Sequence, residues 1–377
     1  MKNHLHQIKE IANEFAIPGD FISGMEIDSG HINSTYLVEF GSNNGSKVRY
    51  VLQRINESVF PDPKAVMRNV EVVTRHINWK VLRVKRDSSG QTLNLFPARG
   101  GRFHAEVEGD GIWRCYNFIE GCRTYDVVDD PRQAYEAAKA FGSFQDLVSD
   151  IPLENIEETI PDFHNTPQRY ENLIQAVAED ALNRVDGVRK ELDIVRSQEG
   201  IVSRLIDLQN TGALPERITH NDTKINNVMY DSRTGRAVCV IDLDTVMPGL
   251  ALYDFGDMVR TAVSPAAEDE RDLSKVVVRM PIFQALVEGY LDGCDCLCDA
   301  EIDNLAFAGR LIALETGIRF LTDYLLGDVY FKIFHPKQNL DRARSQFDLA
   351  RKLGDREQRM HSIVECLAET RADKGVG

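Results

Sequence analysis

The chain has 377 residues, 43% of them hydrophobic and 27% charged, with a formal net charge of −15. These are the proportions of a globular protein of two or three domains, and they exclude a disordered chain and a disulfide scaffold. The negative balance argues against a nucleic-acid backbone or an anionic membrane as the main partner.

No apolar run approaches the ~18 residues of a membrane span. The start, MKNHLHQIKEIANEF, lacks the apolar stretch of a signal peptide and reads as an amphipathic surface helix. Seven cysteines, an odd number without regular spacing, predict a reducing, cytoplasmic location. The cluster Cys294, Cys296 and Cys298 lacks the two-residue gaps of common zinc sites and reads as a surface turn with small apolar fillers.

Residues 21–56 predict three strands of an antiparallel sheet, from alternating apolar residues and Gly/Asn-rich turns. A helix follows, with Asp62 as N-cap and Pro63 at its first position. Met67, Val70, Val73, Thr74 and Ile77 form its expected buried stripe. Strand segments recur near 80–107 and at 112–120. From Pro131 onward the pattern is helical, apart from a β interlude at 218–247. The expected organisation is α+β with two lobes: a small antiparallel β-rich lobe over 1–120 and a larger, mainly helical lobe over 121–377.

The most informative stretch is ITHNDTKINNVMYDSRTGRAVCVIDLDT, residues 218–245. It reads as a loop, a strand, a DSRTG turn and a returning strand. A turn centred between Thr234 and Gly235 sets Asn227 opposite Asp242. Two oxygen ligands then meet beside Asp222, a set suited to magnesium on phosphate oxygens. His220, Asp222 and Asn227 fit the H-x-D-x-x-x-x-N spacing of a kinase catalytic loop. In that reading Asp222 accepts the proton of the attacking hydroxyl. Asn227 and Asp242 hold magnesium, Lys224 neutralises charge on the transferred group, and His220 braces the loop. The plain alternative is a polar β-hairpin. Downstream, Asp254–Phe255–Gly256 spells D-F-G. Because Asp242 already occupies the strand end, Asp254 is expected to hydrogen-bond the catalytic loop instead, and Asp257 likewise.

In the first lobe, Gly30, His31, Asn33, Ser34 and Thr35 lie in a small polar loop suited to cover phosphates. The lysine expected on the third strand is missing, and Gln53 stands there. Glu71 is the candidate acidic partner on the helix, or else an exposed helix charge. Phe118 and Ile119 end the last strand, where hinge backbone groups would meet an adenine edge.

With these residues in place, the chain resembles the aminoglycoside-phosphotransferase/choline-kinase superfamily, and within it bacterial N-acetylhexosamine 1-kinases. The likeness rests on SGHINSTYLV, YVLQRIN, FPDPKAVMRNVEVV, DFHNTPQRYENL, THNDTKINN, IDLDTVMPG, LYDFGD and GIRFLTDYLLGDVYF. It implies a protein-kinase-like fold, ATP and Mg2+ as cofactors, and phosphorylation of the anomeric hydroxyl of GlcNAc or GalNAc. No nucleic-acid, membrane or obligate protein partner is expected. The likeness also implies that glutamine in place of the third-strand lysine is normal for this branch. By the same likeness Arg319 and Tyr330 touch the sugar, with Asp328 and His31 beside them. The alternative for Arg319 is an i,i+4 ion pair with Asp323; Tyr330 and Phe331 equally suit a core. After LYDFGDMVR the chain has Thr261, where the family has an aromatic, which leaves the acceptor open. A different sugar, an amino alcohol or an aminoglycoside is the alternative substrate.

Overall fold

The computed structural model describes residues 2–27, 32–42, 45–84 and 92–375. The elements run in the order α1 (Lys2–Asn13), β1 (Asp20–Glu26), β2 (Ser34–Gly41), β3 (Lys47–Arg54), α2 (Pro63–Val84), β4 (Ala105–Val107), β5 (Gly111–Asn117), β6 (Cys122–Arg123), α3 (Pro131–Val148), α4 (Thr166–Glu179), α5 (Arg189–Ser197), α6 (Arg204–Asn210), β7 (Arg217–Thr219), β8 (Val228–Asp231), β9 (Ala237–Val240), α7 (Ala251–Ala262), α8 (Met280–Gly293), α9 (Asp299–Leu326), α10 (Gln338–Gly354) and α11 (Glu357–Gly375). Among the described residues no helix is long and apolar enough to cross a membrane.

Contacts divide the chain into two compact units. Unit 1 joins Met1–Arg123 with two later segments, Asp150–Pro161 and Met229–Pro248. The single cut after residue 120 expected from the sequence does not anticipate those two segments. Unit 2 comprises Thr124–Ser149, Asp162–Val228 and Gly249–Gly377.

Unit 1 is built on an antiparallel five-stranded sheet in the order β1-β2-β3-β5-β4. Side chains alternate across a strand, so one face collects Tyr36, Val38, Phe40, Tyr50, Leu52, Trp113 and Cys115. That face buries Ile8, Ile11, Ala12 and Phe15 from α1 and the turn after it. The other face carries a polar row, because register sets Thr35 opposite Gln53 and Gln53 opposite Arg114. Helix α2 begins as its sequence predicts: Asp62 Oδ1 accepts from the Lys64 and Ala65 N–H groups at 3.0 and 2.9 Å. Its stripe of Met67, Val70, Val73 and Thr74 is buried, while Ile77 is only half-buried. On the same helix Asn69 donates to the carbonyls of Glu157 (2.7 Å) and Val246 (3.0 Å), which fastens both later segments.

In unit 2 the 28-residue α9 is apolar nearly all round and buried along its length. Helices buried on every side lie at the centre of a bundle, and α7, α10, α4 and α11 pack on α9. Helices α3 and α8 approach closely because glycines line their seam. A Cβ added at Gly289 would sit 2.2 Å from the Tyr135 carbonyl oxygen.

Candidate active site

The stretch between β7 and β8 carries the expected catalytic loop, in unit 2. Asn221 takes a left-handed φ of 65°, uncommon outside glycine but tolerated by asparagine. Two carboxylate oxygens hold the strained turn. Asp254 accepts the N–H groups of His220 at 2.8 Å and of Asn221 at 2.7 Å. Its own carbonyl accepts the Thr223 hydroxyl at 2.6 Å. Asp254 therefore does what its sequence position predicts: it braces the loop from the start of α7. Burial pushes its carboxyl above the usual range, against the two N–H donors and nearby His220. Asp257 behaves differently. It pairs with Arg260 at 2.7 Å rather than with the loop backbone.

His220 is fully buried, edge-on to Phe141 and Phe144 with ring centroids 5.3 and 5.6 Å away. Its Nδ1 accepts the Asp222 N–H at 3.3 Å, which matches a bracing role. Asp222 itself keeps 24% of its side chain exposed. Lys224 Nζ lies 2.8 Å from one carboxylate oxygen, and Asn227 Nδ2 donates to the other at 3.0 Å. Burial raises the Asp222 carboxyl, but Lys224, His220 and Arg260 outweigh it and hold it below the usual carboxylate range. Attraction to Asp222 drives the Lys224 ammonium upward, so both stay charged. Asn227 spends its amide hydrogens on the Asp222 carbonyl (2.8 Å) and carboxylate, and its side-chain oxygen is an atom of the kind suited to a cation.

In unit 1 the hairpin of β8 and β9 closes with the Asp231 N–H donating to the Arg236 carbonyl at 2.9 Å. The loop centre thus falls between Arg233 and Thr234, one residue ahead of the centre expected from DSRTG. Asp242 follows β9 with a left-handed φ of 61° and an exposed carboxylate. Backbone strain at a non-glycine residue persists where surroundings over-determine it, commonly at working sites. Asp244, two residues on, is buried and committed. It ion-pairs with Arg114 and accepts from Asn33 Nδ2 at 2.6 Å. The carboxylate oxygens of Asp242 are hard donors of the kind that magnesium takes.

The polar row above the sheet occupies the missing lysine's neighbourhood. Gln53 Oε1 accepts twice from Arg114, at 3.0 and 2.8 Å, and Gln53 Nε2 donates to Thr35 at 3.1 Å. Asn33 also accepts the Asn56 N–H at 3.0 Å. The side chains of Asn33, Thr35 and Gln53 are thus engaged within unit 1, and Ser34 is exposed at the start of β2. Gly30 and His31 lie outside the described residues. Glu71 pairs with Arg75 at 3.0 Å, one turn along α2. Phe118 lies under the Arg49 guanidinium at 4.1 Å, and Ile119 is buried.

The residues expected around the acceptor lie in unit 2. Arg319 does not pair with Asp323, whose carboxylate instead accepts the N–H groups of Val329, Tyr330 and Phe331 at 2.9, 2.8 and 3.0 Å. The guanidinium of Arg319 is stacked on Phe163 (5.0 Å) and Phe331 (5.7 Å). Tyr330 is 57% exposed and not a core aromatic. Asp328 is held by Arg184 at 2.8 Å and Asn339 at 3.0 Å. Thr261 folds its hydroxyl back onto the Asp257 carbonyl at 2.8 Å.

Two groups escaped the sequence reading. One is the pair Arg114 and Asp244. The other is a buried cluster in which Glu315 binds His164 Nδ1 at 2.8 Å and the Thr166 hydroxyl at 2.6 Å, with His164 Nε2 3.4 Å from the Asn221 carbonyl. A lone arginine inside the apolar IWRCYNFI was a usable signal for Arg114; nothing local marks Glu315.

Residues 23–276 match the phosphotransferase enzyme family. The chain belongs to that family. It is a small-molecule phosphotransferase. Solved structures similar to it include an aminoglycoside phosphotransferase from Alicyclobacillus acidocaldarius, with 13% identity, 95% of this chain and 96% of that one covered, and a TM-score of 0.61. A spectinomycin phosphotransferase in complex with ADP and spectinomycin gives 12% identity, coverage of 93% and 98%, and a TM-score of 0.56. Choline kinase from Cryptosporidium parvum gives 15%, 93% and 95%, and 0.53. The fold is protein-kinase-like, with an antiparallel β N-terminal part and a mostly helical C-terminal part.

Proposed function

We propose that this phosphotransferase uses ATP and Mg2+ to phosphorylate the anomeric hydroxyl of an N-acetylhexosamine of the GlcNAc/GalNAc kind. The observation that carries the reading is the state of Asp222: partly exposed, ionised, and gripped between Lys224 and Asn227 on a loop fixed by Asp254. Such a carboxylate accepts the acceptor's hydroxyl proton as its oxygen attacks the γ-phosphorus, while the bond to ADP breaks. Lys224 offsets charge on the transferred group and keeps Asp222 deprotonated. Asn227 Oδ1 and the Asp242 carboxylate are each oxygen donors of the kind that would hold a magnesium ion, which when bound neutralises phosphate charge. Lending support to an ATP reading, one similar structure contains ADP. Arg319 offers forked donors to a hydroxyl or carbonyl oxygen, and Tyr330 offers an apolar face with a hydroxyl.

A second reading, a different sugar or an amino alcohol, is favoured by Thr261, which supplies no aromatic wall. The net charge of −15 also suits a cationic acceptor. A panel of free sugars, choline, ethanolamine and aminoglycosides with ATP and Mg2+ decides between them. An acid-labile product whose proton NMR shows phosphorus coupling at the anomeric position supports the sugar 1-kinase. A product phosphorylated elsewhere rejects it.

A further inference from the structure

We propose that Asp146, Cys294 and Cys296 form a binding site for one thiophilic divalent cation, with zinc as the ion of matching chemistry. Cys294 caps the C-terminus of α8 and is fully buried. Cys296 lies two residues on, in the connection to α9, and Asp146 stands in the last turn of α3. Their ligand atoms all lie within 4.8 Å of one another, and the two sulfurs are 3.2 Å apart. In a tetrahedral zinc site with Zn–S near 2.3 Å, neighbouring sulfurs stand roughly 3.8 Å apart, so small side-chain rotations close the set around an ion. Two sulfurs and one carboxylate oxygen suit zinc rather than magnesium or calcium.

The scaffold around the three ligands is fixed. The Asp295 N–H donates to Asp146 Oδ1 at 3.2 Å, which orients the carboxylate and leaves its other oxygen for the ion. Arg371 holds the Cys294 carbonyl at 3.0 Å, and Arg217 holds the Cys296 carbonyl at 2.6 Å. Cys298 is not part of the set; it is the N-cap residue of α9, its N–H donating to Glu301 at 2.8 Å. Spacing in the sequence argued against a metal here. The third ligand comes from α3, nearly 150 residues away in the chain, where spacing gives no sign of it. Arg217 begins the strand that leads into His220–Asp222, and Gln145, next to Asp146, donates to the Ile218 carbonyl at 3.1 Å. An ion at this site ties α3, the α8–α9 connection and the root of the catalytic loop together. The proposal does not depend on the acceptor or on ATP.

The test is titration of the full chain, reduced and stripped with chelator, with Cd2+. A thiolate-to-cadmium charge-transfer band is expected to saturate at one equivalent and to be abolished by Zn2+. Cys294→Ser and Cys296→Ser lose the band, Cys298→Ser keeps it, and Asp146→Asn weakens binding at least about tenfold. Circular dichroism checks that each variant folds. Asp146→Asn and Cys298→Ser keep the test decisive should a buried cysteine variant fail to fold. No saturable band in the wild type, a band that survives both cysteine substitutions, or unchanged affinity in Asp146→Asn overturns the proposal.

Discussion

Arg114 and Asp244 form an ion pair inside unit 1, with side chains only 1% and 3% exposed, between residues 130 positions apart in the chain. The pair joins the β5 strand to the segment that carries Asp242. Gln53, standing where a lysine is expected, serves as acceptor for the same guanidinium. A buried charge gains stability over its alternatives only while paired, and loss of one partner strands the other.

Arg114→Met therefore costs about 3–5 kcal/mol of unfolding free energy. Arg114→Met combined with Asp244→Leu recovers part of that loss. Urea denaturation of the full chain measures both. A loss below about 1 kcal/mol in the single variant contradicts the assignment of a desolvated pair.

Asp254→Ala removes two acceptors from a strained turn whose N–H groups are buried. The expected cost is about 2–3 kcal/mol in stability, with kcat lower by roughly two orders of magnitude as Asp222 loses its position. Thermal melting and steady-state rates read the two effects. Normal turnover with reduced stability would show that the brace is structural only.

Lys224→Met removes the main influence that lowers Asp222. The catalytic form is the carboxylate, present above the Asp222 pKa and lost as pH falls through it. Raising that pKa moves the acid limb of kcat/KM to higher pH. A pH–rate profile whose acid limb stays in place contradicts the coupling between the two residues.

Arg319→Ala breaks no ion pair, since Asp323 is occupied by the backbone of 329–331. The stability cost is expected to stay near 1 kcal/mol, from lost stacking on Phe163 and Phe331. The acceptor KM rises at least tenfold while the ATP KM is unchanged. Equal increases in both constants would remove Arg319 from the acceptor site.

The sequence made legible what local chemistry dictates. Asp62–Pro63 announced α2, alternation announced β2 and β3, and the spacing from His220 to Asn227 announced a loop that the structure bears out as a braced turn. The D-F-G tripeptide was also readable as a brace, because the sequence reading expected Asp242 at the strand end to be the metal ligand. What stayed hidden depends on contacts distant in sequence. Glu315 gives no sign that it will meet His164, and Asp146 gives none that it will meet Cys294. The turn centre was misplaced by one residue because DSRTG allows several loop lengths, and only the Asp231-to-Arg236 bond selects one.

The central claim is that Asp222 is the proton acceptor in phosphoryl transfer. Single-turnover phosphorylation by Asp222→Asn, with ATP affinity measured separately, tests it most directly. The account predicts unchanged ATP binding and folding, with the transfer rate at least about a thousandfold lower. Transfer within tenfold of the wild-type rate would contradict it.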